Sequence, residues 1–140
     1  MYQKVILVGN LGRDPEMRYM PDGTAVTNFS MATSFGWTDR STGEPKDTTT
    51  WFRVSVWGRQ AESVNEYLSK GRRVLVEGRL VGDPETGAPR LFTRQDGTVG
   101  ASFEVRANTV RFLGGRDEGG FAPTAPDAGP AAQEEDDIPF

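Results

Sequence analysis

The chain has no cysteine and no histidine. The first absence removes a disulfide framework and a thiolate metal site. The second removes the commonest general base and the commonest transition-metal ligand. Hydrophobic residues are also scarce, at 36%, against roughly 45–50% in globular domains by a count that includes glycine. No apolar run approaches the roughly 18 residues that a membrane span needs. Met1 to Leu11 carry one lysine and no small-residue cleavage site, so no signal peptide is expected. These absences leave a soluble intracellular protein as the default, without thiolate or histidine chemistry.

The scarcity is uneven. A chain of 140 residues has room for one domain and a tail. Residues 1–114 alternate apolar and polar side chains throughout. Residues 115–140 hold almost no aliphatic side chains before Ile138. A core is therefore expected in 1–114 alone. The net charge of −4 divides the same way. Residues 1–114 hold 15 Lys and Arg against 13 Asp and Glu, or +2; residues 115–140 hold Arg116 against seven acids, or −6. A mildly basic body carries a strongly acidic tail, so the overall charge says little about what the body binds.

The most informative stretch is Trp51-Phe52-Arg53-Val54-Ser55-Val56-Trp57-Gly58. On a strand, successive side chains point to opposite faces. Phe52, Val54 and Val56 then want a core, and Trp51, Arg53, Ser55 and Trp57 share the other face. Large exposed apolar surface usually marks a binding site. Flat aromatics beside a fixed positive charge suit unpaired nucleic-acid bases on a phosphate backbone. Burial between two sheets or in a subunit interface explains the strand alone equally well.

The rest of the chain bears on that choice. Lys4 to Leu11 is a strand with a continuous apolar run, as expected when both faces are covered. Gly9 and Gly12 lack the Gly-Lys-Ser/Thr that a phosphate loop needs and read as bulge or bend glycines. Pro21-Asp22-Gly23 is a turn, and Thr24 to Phe35 is a second strand with Phe29 and Met31 inward. Gly36 to Thr50 reads as a long polar hairpin loop, with Trp37 at its base and Arg40 near its tip. Trp51 to Gly58 is the third strand. Ala61, Val64 and Leu68 fall on one face of a helix over Arg59–Lys70, which Gly71 stops. Arg72 to Val81 is a fourth strand, with Arg73 and Arg79 on one side. A second long polar loop spans Gly82 to Gly100 and sets Phe92 between Arg90 and Arg94. Ala101 to Leu113 is the last strand.

Five short antiparallel strands, one helix between the third and fourth, and long loops after the second and fourth match the all-β, five-stranded Greek-key OB barrel. That fold binds oligonucleotides on one face and in its loops. Residues 115–133, rich in Gly, Ala, Pro and Asp, read as a disordered linker. Residues 134–140 end on Asp136-Asp137-Ile138-Pro139-Phe140. Acids before a phenyl ring beside the terminal carboxylate suit a partner pocket with a hydrophobic slot and a basic clamp.

Several segments together resemble the bacterial single-stranded DNA-binding protein family. They are the run from Lys4 to Pro15, Arg18 to Gly23, Trp51-Phe52-Arg53-Val54, Tyr67 to Gly71, and Asp136 to Phe140. The resemblance implies base stacking on Trp37, Trp51, Trp57 and Phe92. Relatives more often have Phe at the position of Trp57 and often have Trp at that of Phe92. It implies basic contacts at Lys4, Arg40, Arg53, Arg59, Lys70 and Arg90, to which Arg73 and Arg94 are added as phosphate contacts. It further implies a homotetramer, no cofactor, no catalytic step, a place on the nucleoid in the cytoplasm, and an acidic tip that docks replication, recombination and repair proteins. Two rival readings stand beside this one. An OB-fold adaptor or RNA-binding module would use the same face for another ligand. A nuclease would use Asp14, Asp22, Asp83 and Asp96, which sit in turns where Asp is expected for backbone reasons.

Overall fold

The computed structural model describes residues 1–114; the linker and the acidic tip lie outside the described residues. The elements run β1 (Val5–Leu11), β2 (Glu16–Tyr19), β3 (Ala25–Thr38), β4 (Pro45–Trp57), α1 (Arg59–Tyr67), β5 (Arg73–Leu80), β6 (Arg90–Thr93) and β7 (Val99–Phe112). Strands β1, β3, β4, β5 and β7 are the five expected from alternation. They hydrogen-bond in the order β1-β5-β7-β4-β3, and a short β1–β3 pairing at Asn10 and Leu11 closes the barrel. Strand β2 adds to the outer edge of β3, and β6 folds back on β7 as a hairpin.

The inward side chains pack one core. Met31, Val54, Val56, Val74 and Val76 are fully buried at its centre. Helix α1 plugs one end with Ala61 and Val64, and Leu68 follows it into the core. The Thr27 hydroxyl is buried beneath the helix and donates to the Ala61 carbonyl at 2.7 Å, which satisfies it at modest net gain. Gly71, at φ 89°, turns the chain out of this region, and its N–H donates to the Leu11 carbonyl.

Five expectations are revised. The stretch from Gly82 to Gly100 is not loop throughout, since Arg90–Thr93 pairs with β7, and the strands are not all antiparallel, since β4 and β7 run parallel. The stretch from Gly36 to Thr50 is not a loop: β3 and β4 stay in unbroken register from Val26↔Trp57 to Thr38↔Pro45, and only 39–44 turn. Gly9 lies in regular β1–β5 pairing rather than at a bulge or bend, whereas Gly12 is at the bend that follows β1, as expected. A Cβ on Gly9 would fall 2.2 Å from the Ala32 carbonyl oxygen, and one on Gly12 would fall 2.5 Å from the Trp51 ring, so close approach is what each requires. The bulge lies instead in the β5–β7 pairing, where Asn108 of β7 is the extra residue opposite the Glu77–Gly78 step. Strand β1 is covered by this chain on one face only: Ile6 is 60% exposed and Val8 48%.

Candidate nucleic-acid interface

The barrel wall made by β4 and β7 sets up the site. The two strands run parallel with Phe52↔Phe103, Arg53↔Glu104, Val54↔Val105 and Ser55↔Arg106 in register. Val54 and Val105 are buried, so the period of two turns Arg53, Ser55, Glu104 and Arg106 outward together. Arg90↔Ser102 and Phe92↔Gly100 bring β6 onto this same face.

Trp51 is 53% exposed and lies against Gly12. One side of the indole therefore rests on backbone and the other faces solvent. Phe92 is supported similarly. Its ring and the Arg94 guanidinium lie over the buried Gly100, where a Cβ would meet either group at 2.7 Å. Arg94 also caps the ring at 5.3 Å from the centroid and donates from Nη1 to the Val99 carbonyl at 3.2 Å. Trp57 is half-buried, and the Arg106 guanidinium lies 4.6 Å from its ring centroid. Its Nε1–H is buried without a protein acceptor among the described residues, so ring contact rather than a hydrogen bond holds it.

Trp37 stands apart. The β3–β4 register pairs Ala32 with Trp51 and Trp37 with Lys46. Ala32 and Trp37 differ by an odd number of positions, so the two tryptophans occupy opposite faces of the hairpin. Beside Trp37 lies Phe35, stacked on it at 6.1 Å and 67% exposed. Phe35 was missed in the sequence, although its spacing of two from Trp37 was a usable signal.

The expected cations are distributed more widely than the aromatics. Arg53 and Arg90 line a cleft of about 430 Å³ with Arg13, Arg18, Asp14, Glu16 and Glu104. Arg90 pairs with Glu104 at 3.4 Å. Arg13 and Arg18 were not singled out from sequence; they enter because β2 returns along β3. Arg40 is in the β3–β4 turn, Arg59 opens α1, and Lys70 and Arg73 flank the entry to β5; all four are exposed. The Lys70 N–H donates to Asp14 at 2.9 Å. Lys4 lies on the β1–β5 wall, paired with Glu77 at 3.0 Å, and that hydrogen bond holds its ammonium above the ordinary lysine range.

The turn aspartates have backbone roles. Asp22 accepts from the Thr24 N–H at 2.9 Å, Asp83 from Glu85 at 2.8 Å and Asp96 from Thr98 at 3.0 Å. The threonine amides hold Asp22 and Asp96 below the usual carboxylate range. No helix among the described residues is long and apolar enough to cross a membrane.

Solved structures with this fold include one of a Plasmodium falciparum protein, described as an SSB complex with ssDNA. It is 30% identical, with a TM-score of 0.66, covering 81% of this chain and 96% of that one. A deletion mutant of the single-stranded DNA-binding protein from Thermus aquaticus is 34% identical, with a TM-score of 0.62 over 81% of this chain. The match spans about half of that chain, 51%. A profile described as the single-strand binding protein family matches residues 2–113, and on that match across most of its length the chain belongs to this family.

Proposed function

We propose that this protein binds and protects single-stranded DNA without regard to sequence, and recruits replication, recombination and repair proteins through its acidic tip. The observation that carries the first part is the Trp51 indole, propped on Gly12 with one face open and Arg53 two residues along the same wall. Residues 1–114 are the binding domain in this reading, 115–133 the linker and 134–140 the tip.

Stacking on Trp51, Trp37 and Phe92, and on the part of Trp57 that Arg106 leaves open, contributes about 1–3 kcal/mol per base and tolerates any base. Arg40, Arg53, Arg59, Lys70, Arg73, Arg90 and Arg94, and Lys4 at the far wall, supply charge along the backbone, so affinity falls with salt. A paired base has no free face to offer, so duplex is refused on geometry. No bond-breaking step and no cofactor enters this reading.

A homotetramer extends the reading. Ile6 and Val8 stand open on β1, a surface that a second copy would bury. Symmetry then multiplies stacking sites through effective concentration. The tip, opposite in charge to the body, would compete with DNA for the basic face. The protein would work on the nucleoid in a bacterial cytoplasm. Equilibrium binding to a thymine oligonucleotide, the matching RNA and a duplex at one salt concentration tests the proposal. Single-stranded DNA should bind most tightly; equal binding of the duplex contradicts it.

A further inference from the structure

Two arginines that face each other across β5 and β7 are not among the phosphate contacts of the site. Arg79 and Arg106 are direct cross-strand partners, and both are exposed. Cross-strand neighbours on one face stand about 4.5–5.5 Å apart at Cβ, and like charges there are destabilising. A carboxylate nearby would relieve this. The nearest ones along the same strands are already engaged: Glu104, two residues before Arg106, binds Arg90 at 3.4 Å, and Glu77, two before Arg79, binds Lys4 at 3.0 Å. Among the described residues neither arginine forms an ion pair. Arg106 is also held in place, its guanidinium lying 4.6 Å from the Trp57 centroid. A guanidinium held over an indole by a cation–π contact can still donate from its N–H groups and has less freedom to lose on binding.

We propose that Arg79 and Arg106 clamp one phosphate of the bound strand, carrying the DNA track from the Trp51–Arg53 wall across β7 to β5. The inference rests on the single-strand reading above. Ser55 pairs with Arg106 and Arg53 with Glu104 on one outward face, so the clamp continues the wall that bears Trp51. A phosphodiester offers an acceptor oxygen to each guanidinium and cancels the repulsion that the empty pair carries. Trp57 then also serves as a platform for Arg106 on the part of its ring that the guanidinium covers.

The test is the dependence of affinity on salt in the full-length protein, measured with a thymine oligonucleotide. Each phosphate neutralised on a single strand contributes about 0.7 to the slope of log affinity against log salt. The double variant Arg79→Ala/Arg106→Ala should reduce that slope by about 0.7, whereas Arg79→Lys/Arg106→Lys should keep it. Trp51→Ala should weaken binding with the slope unchanged. Arg79→Ala alone should melt at the same temperature as the wild type or slightly higher, since it removes a repulsion. The clamp is overturned by an unchanged slope in the double alanine variant, by a lower melting temperature for Arg79→Ala, or by a change of oligomer mass, which would assign the pair to a subunit contact. If wild-type protein shows no preference for single strands, the single-strand reading falls and the clamp with it. A normal wild type with an unchanged variant slope removes the clamp alone.

Discussion

Trp51 and Gly12 form one device. The glycine has no side chain because the indole occupies the space where a Cβ would sit, 2.5 Å from the ring. Trp51→Ala should therefore weaken single-strand binding by about 1–3 kcal/mol and leave the melting temperature nearly unchanged, because the ring is 53% exposed. Gly12→Ala should produce a comparable loss through displacement of an intact indole, seen as a shifted tryptophan emission before any DNA is added. The outward face of Trp51 was legible in the sequence because alternation across Trp51–Trp57 is local. The need for Gly12 was not: it depends on a contact between the end of β1 and a residue on β4, which no short window contains. The cover that Arg106 places on Trp57 was hidden for the same reason, since it follows from the parallel β4–β7 pairing.

Among the elements, the β1–β3 seam that closes the barrel is tightly packed. A Cβ on Gly9 would fall 2.2 Å from the Ala32 carbonyl oxygen, and backbone gives way less readily than a side chain. Gly9→Ala should cost about 1–3 kcal/mol or more, in the range of overpacked sites, measured by urea unfolding. The turns predict a pH dependence. Asp22 and Asp96 titrate below their ordinary value of 3.8 when folded. Their contribution is present above that value and is lost as pH falls through the lower folded value. Lys4 titrates above its ordinary 10.5, so its contribution is present below 10.5 and lost as pH rises through the higher folded value. With no histidine, stability and affinity should be flat between about pH 5.5 and 7; thermal melts and binding isotherms across that window check this. The five barrel strands and the helix could be read from their periodic burial. The outer half of the β3–β4 hairpin could not, because both its faces meet water and only Phe35 and Trp37 alternate there. Strands β2 and β6 are four residues each, too short to display a period.

At the scale of the whole molecule, charge is divided between a body of +2 and a tail of −6. Deleting Asp136–Phe140 should leave affinity for a thymine oligonucleotide equal or higher at low salt and abolish recruitment of partner proteins; a clear loss of intrinsic affinity would count against competition between tip and DNA. The body's function was legible because aromatics and arginines alternate along strands that a barrel must turn outward. The division of the tryptophans between two faces of the β3–β4 hairpin was not, because it follows from cross-strand register. The most direct measurement is intrinsic tryptophan fluorescence during titration with oligo(dT) of increasing length, with mass followed alongside. Stacking on Trp51 and Trp37 predicts strong, saturable quenching that deepens with strand length until the sites are filled, and none with duplex. Emission unaltered by oligo(dT), or quenched equally by duplex, would contradict open indoles as the binding surface.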